Sequence, residues 1–211
     1  MINVSKYQLY LILDPNFCKF YSILDVVRLA IAGGVTCVQL RNKVDTKEVI
    51  LKQAKALKES MQGTDVPLII NDHVSIAKAI DADGVHLGQS DINAFEAREQ
   101  LGPDKIIGLS TSRLEQLYEV DDTIVDYCGV GPIYDTTSKK CDVPIWEIAQ
   151  LTKAIEIARL PLVAIGGINI ENISTVMQTG VAGTAILSAI CSAKNPLQVT
   201  QLMRAHQHDY T

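Results

Sequence analysis

No apolar run in this chain approaches the roughly 18 residues that a membrane-crossing helix needs. The stretch from Leu160 to Ile168 is among the longest, and Pro161 interrupts it. No membrane partner is therefore expected. Excess basic charge is also missing: 19 Lys and Arg against 24 Asp and Glu leave a net charge of -5. That balance argues against nucleic acid or an anionic surface as the main partner, so any anion site must be local. No Cys-x-x-Cys pair occurs, and the five cysteines (Cys18, Cys37, Cys128, Cys141, Cys191) are odd in number and scattered. Neither a disulfide framework nor a zinc site is indicated, and a reducing cytoplasm is the expected compartment. The start of the chain has no small-residue cleavage site after its short apolar run, which ends at Asp14 and reads as a first strand rather than a signal peptide. No low-complexity linker or shift of composition divides the 211 residues, so a single domain over 1–211 is expected.

What is present is a rhythm. Apolar residues make up 47% of the chain, in short runs that alternate with longer amphipathic ones. The pairs are Leu9–Leu13 with Ile23–Ala32, Thr36–Leu40 with Thr46–Met61, Pro67–Ile70 with Val74–Ile80, and Gly84–Leu87 with Asn93–Leu101. They continue as Lys105–Leu109 with Leu114–Val120, Val125–Val130 with Ile145–Ala158, Leu162–Ile165 with Ile170–Gly180, and Gly183–Leu187 with Pro196–Ala205. Strands that are apolar throughout, each followed by a helix, imply a parallel sheet covered on both faces. Eight such units predict an α/β fold closed as a (β/α)8 TIM barrel, with a doubly wound open sheet as the alternative.

In a barrel the chemistry gathers where strands end. The second strand runs into Gln39-Leu40-Arg41-Asn42-Lys43, where period-two alternation puts Gln39, Arg41 and Lys43 on one face. Asn71-Asp72 follows the third strand, and His86-Leu87-Gly88-Gln89-Ser90-Asp91 closes the fourth. Neighbouring strand ends lie about 5 Å apart, so Asp72 and Asp91 can share a hard cation such as Mg²⁺. Taken singly, each reads better as the N-cap of the helix that follows. His86 reads as a hydrogen-bonded wall residue and His73 as an exposed helix start, while Ser110 ends the fifth strand ahead of Ser112, a candidate cap. The sixth strand opens into Gly129–Tyr134 and then Asp135, Thr136, Thr137, Ser138, Lys139 and Lys140, whose hydroxyls and lysines suit a phosphate. Gly166-Gly167 after the seventh strand and Leu187-Ser188 after the eighth suit a second phosphate, Gly167 permitting close backbone approach. No paired nucleophile and base is recognisable.

Taken together, Val38–Lys43, Ile70–Asp72, Gly84–Asp91, Gly129–Tyr134 with 136–139, and Ala164–Ile168 resemble the thiamine-phosphate synthase family over nearly the full chain. The resemblance implies an enzyme of thiamine biosynthesis, a transferase that joins an aminopyrimidine-methyl diphosphate to a thiazole phosphate with Mg²⁺. It implies substrate-binding roles for Gln39, Leu40, Arg41, Asn42, Lys43, Asn71, Ser110 and Lys139, and metal ligation by Asp72 and Asp91. Arg41, Lys43, Lys139 and Ser110 would be the catalytic groups, and Thr136, Thr137, Ser138, Gly167, Leu187 and Ser188 the thiazole-phosphate site. Departures from the family pattern are Asn42 for Glu, Asp135 for Pro, Ser138 for Thr and Ser112 for His. The expected partners are small molecules, and a homo-oligomer stays open. The alternatives are a thiazole tautomerase on the same barrel, which would show an eroded diphosphate cluster and a histidine at the thiazole ring, and a silent thiamine-phosphate binder.

Overall fold

The computed structural model describes residues 4–136 and 143–208. Eight strands form one closed parallel barrel in the order of the sequence, β1 pairing with both β2 and β8. They are β1 (Leu9–Leu13), β2 (Cys37–Leu40), β3 (Leu68–Asn71), β4 (Gly84–Leu87), β5 (Ile106–Thr111), β6 (Tyr127–Val130), β7 (Leu162–Ile165) and β8 (Gly183–Ile186). The helices around them are α1 (Ile23–Ala32), α2 (Lys47–Ser60), α3 (Val74–Ala79), α4 (Ala94–Leu101), α5 (Leu114–Glu119), α6 (Glu147–Ile157), α7 (Ile173–Met177), α8 (Ser188–Cys191) and α9 (Pro196–His208). The open-sheet alternative is excluded by the ladder Tyr10 to Ala185 that joins the first strand to the last.

The sequence explains the helix limits. Ser22 starts α1 by accepting a hydrogen bond from the Asp25 N–H, and Gly33 ends it where a Cβ would lie 2.7 Å from the Thr200 Cβ on α9. Helix α7 is shorter than the apolar pattern from Ile170 suggests. The Asn172 Oδ1 accepts from the Asn169 N–H, and the Asn169 Oδ1 accepts from the Glu171 N–H, holding residues 169–172 as a turn. Ser112 does not cap α5. That place is taken by Arg113, while the Gln116 side chain folds back to accept from both the Ser112 and Arg113 N–H groups.

Two apolar cores follow from strands with both faces buried. The larger lies between strands and helices and contains Leu11, Leu13, Val38, Leu40, Ile70 and Leu87. The smaller fills the barrel with Tyr7, Tyr10, Ile12, Cys37, Ile69, Tyr127, Val163 and Ala185. Aromatic rings fit inside because neighbouring strands carry no side chain where the rings lie. A Cβ on Gly108 would sit 2.2 Å from the Tyr127 Cζ. Overpacking of that kind costs about 1–3 kcal/mol, so Gly108→Ala is expected to lose about 3 kcal/mol in urea unfolding. An unchanged midpoint would show that the Tyr127 ring has room to move.

Candidate active site

The C-terminal ends of the strands surround a cavity of about 840 Å3. Of the residues singled out from the sequence, Arg41, Lys43, Asp91, Ser110, Thr136, Gly167, Leu187 and Ser188 line it. Thr137, Ser138 and Lys139 lie outside the described residues. Because β3 and β7 face each other across an eight-strand ring, the charged groups after β2–β4 lie opposite the glycines and hydroxyl after β7 and β8.

The charged side is paired throughout. Arg41 extends from β2 to Asp14, which follows β1, with Nη1 at 2.5 Å from Oδ2 and both side chains largely buried. Asp14 also accepts from the Asn16 backbone N–H and side-chain Nδ2. Arg41 is thereby held against the barrel rim instead of sampling rotamers in water. Lys43 reaches Asp72, with Nζ at 2.9 Å from Oδ2. The Asp91 Oδ2 accepts from the Gly88 N–H at 2.7 Å, which closes the loop after β4.

Neither aspartate caps a helix. His73 occupies the cap position of α3, where it is half-buried rather than exposed, and the Asn93 side chain caps α4 by accepting from the Glu96 N–H. Asp72 instead adopts φ +61°, a left-handed conformation that costs a non-glycine residue about 1 kcal/mol or more. Burial pushes its carboxyl above the usual range, Lys43 pulls it back, and the neighbouring Asp91 carboxyl pushes it up again. Two carboxyls in mutual contact suit a shared divalent cation. No cluster of three or more His, Cys, Asp or Glu side chains occurs among the described residues, so such an ion would need oxygens from a ligand or water.

Several expected contacts are differently placed. Leu40 turns outward into the core beneath the helices, at 1% exposure. Asn42 is also turned away: its Nδ2 donates to Asp45 Oδ2 and Gln53 Oε1, and its Oδ1 accepts from the Val44 and Asp45 N–H groups. Both side chains build the strand and loop rather than face the cavity, as alternation from Gln39, Arg41 and Lys43 requires. Asn71 is buried at the end of β3. Gln39 lies inside the barrel and donates to the Tyr10 hydroxyl. Gly167 has φ +66°, and a Cβ there would meet the Asp135 carbonyl oxygen at 2.6 Å and the Tyr134 Cβ at 2.7 Å. The space it leaves open is taken by the loop after β6, so replacing it deforms residues 134–135 before it crowds any ligand.

Three features escape the sequence pattern: Asp14 as the anchor of Arg41, the short helix α8 that Ser188 begins, and a buried chain joining Gln39 to Ser110 through Tyr10, Tyr127 and His86. Only Asp14 carries a signal, because it is the first polar residue after β1. Trp146 closes the far end of the long loop by donating from Nε1 to the Ser112 carbonyl at 2.8 Å.

A family model described as thiamine monophosphate synthase matches residues 9–190. A thiamine-phosphate synthase of Vibrio campbellii is 46% identical over 200 residues, covering 95% of this chain and 98% of that protein. One from Clostridium botulinum is 48% identical over 186 residues, covering 88% and 90%. Among solved structures, a thiamine phosphate pyrophosphorylase from Pyrococcus furiosus superposes with a TM-score of 0.88 at 33% identity, covering 98% of each chain. Likeness in sequence and in backbone thus extends over the same nearly complete length, and the chain belongs to the thiamine monophosphate synthase family.

Proposed function

We propose that this transferase joins an aminopyrimidine-methyl diphosphate to a thiazole phosphate, forming thiamine phosphate and releasing pyrophosphate. The observation that carries the reading is the division of one cavity. Arg41, Lys43 and Asp91 line one side, with Asp72 joined to Lys43 and Asp91 but not itself lining the cavity, and Gly166, Gly167 and Ser188 line the other. Two anionic substrates need two cradles, and a barrel commonly offers a simple phosphate the loops after its seventh and eighth strands.

Departure of the diphosphate develops charge on its bridging oxygen. Arg41 and Lys43 stabilise that charge from fixed positions, so no protein nucleophile is required. Lys139 is assigned the same task, and Ser110 faces the pyrimidine from β5. Asp72 and Asp91 would hold Mg²⁺, which supplies Lewis-acid neutralisation of phosphate charge when bound. Carbon and nitrogen meet because both substrates are held in one cavity. Thr136, Thr137, Ser138, Leu187 and Ser188 complete the assignment on the thiazole-phosphate side. A tautomerase would use a histidine near the thiazole ring, and no histidine lines the cavity among the described residues.

A pyrophosphate-release assay tests this reading. Release is expected only with both substrates and Mg²⁺ present, together with an equal amount of thiamine phosphate. Release at the same rate from the pyrimidine diphosphate alone, or no release at all, would overturn it.

A further inference from the structure

Four hydrogen bonds cross the interior of the barrel in series. The Gln39 Nε2 donates to the Tyr10 hydroxyl at 2.9 Å, and the Tyr10 and Tyr127 hydroxyls are 2.8 Å apart. The Tyr127 hydroxyl lies 2.9 Å from the His86 Nδ1, and the His86 Nε2 lies 2.8 Å from the Ser110 Oγ. Each member comes from a different strand, in the order β2, β1, β6, β4, β5. Glycines make the room: a Cβ on Gly108 would enter the Tyr127 ring, and one on Gly129 would lie 3.2 Å from the His86 Cε1.

The amide end sets the direction. Gln39 Nε2 can only donate, so the Tyr10 oxygen accepts. Burial pushes both phenols well above their usual range, so each keeps its single proton. If Tyr10 donates to Tyr127, Tyr127 donates to His86 Nδ1, and His86 Nε2–H donates to Ser110, every phenol and imidazole proton meets oxygen or nitrogen, and the proton left over is that of Ser110, at the cavity. In the reverse order the Tyr10 proton is left with the Cys37 sulfur, a weak acceptor. Both orders make the same four bonds, and the forward order is favoured because its spare proton lies at the cavity on Ser110 rather than inside the barrel against sulfur.

We propose that Tyr127 and His86 are positioning residues, holding the Ser110 oxygen as an acceptor from within the barrel so that its own O–H points into the cavity as a donor. The consequence for catalysis rests on the assignment of Ser110 to the pyrimidine substrate. The hydrogen-bond order itself does not, and the two are tested separately.

For the order, ¹⁵N NMR of the His86 imidazole in the wild-type protein is expected to show the tautomer with the proton on Nε2. A proton on Nδ1 would overturn the proposal whether or not the protein makes thiamine phosphate. For the consequence, Tyr127→Phe keeps the ring and removes the donor to His86. It is expected to lower kcat about tenfold, the loss of one buried hydrogen bond, with the KM for the thiazole phosphate unchanged. In a Ser110→Ala background the same change should cost nothing more, because the hydroxyl it positions is gone. An equal loss in both backgrounds, or equal KM increases for both substrates, would make Tyr127 merely structural and overturn the positioning role. If Tyr127→Phe fails to fold, His86→Phe removes the donor to Ser110 directly and is read by the same cycle.

Discussion

Asp72→Asn is expected to lower turnover by about 10³-fold or more while leaving the thermal midpoint of the metal-free protein unchanged or raised. Loss of a bound divalent cation removes several kcal/mol of charge stabilisation, at 1.36 kcal/mol per factor of ten. The stability side follows from three local facts. Asparagine tolerates the left-handed backbone at φ +61°, so no new strain enters. The lost partner, Lys43, is half-exposed at 48%, and such ion pairs contribute only about 0–1 kcal/mol. Against that, the folded state raises the Asp72 carboxyl above its ordinary value of 3.8. A carboxyl raised on folding binds its proton more tightly in the native state, so its contribution to stability is present below 3.8 and lost as pH rises through the raised value. At neutral pH the ionised group therefore costs stability, and asparagine removes that cost. Asp72→Ala should fall as far in activity but add a backbone penalty of about 1 kcal/mol. Asp91→Asn keeps an oxygen to accept from Gly88 and should lower turnover as far as Asp72→Asn. Full activity of the double asparagine variant in chelator would end the metal assignment.

Arg41→Ala is expected to lower kcat about 10²-fold, the usual loss on removing one preorganised charge stabiliser. It should also cost about 3 kcal/mol of stability, because Asp14, only 2% exposed, is left as a buried charge without its partner. The two effects separate in the double variant Asp14→Ala with Arg41→Ala. Removing the stranded carboxylate should restore most of the stability while kcat stays low. Unchanged kcat in Arg41→Ala and in Lys43→Ala, measured with saturating substrates, would remove both from the leaving group.

The barrel was legible because burial on both faces writes itself into single-residue hydropathy. Strands β1, β4 and β7 and helix α1 lie where apolar runs and the Gly33-Gly34 stop place them. The candidate site was legible to the extent that polar residues follow those runs, which singles out Arg41, Lys43, Asp72, Asp91 and Ser110 as candidates. What stayed hidden depends on contacts between distant strands. His86 is legible as a hydrogen-bonded wall residue, but Tyr10 and Tyr127 sit in apolar runs and look like packing until three strands bring the polar atoms together. Asp14 and Arg41 are 27 residues apart and pair only because β1 and β2 are neighbours. The resemblance includes Leu40 and Asn42 as part of the motif Val38–Lys43, although alternation along the strand turns both outward. The turn at Asn169–Asn172 was masked by Ile168 and Ile170, whose apolar spacing imitates the start of a helix.

The most direct test is a crystal structure with thiamine phosphate, pyrophosphate and Mg²⁺ bound. The account predicts pyrophosphate between Arg41 and Lys43, Mg²⁺ on Asp72 and Asp91, and the product phosphate against Gly167 and Ser188. Pyrophosphate bound away from Arg41 and Lys43, or Mg²⁺ held without either aspartate, would contradict it.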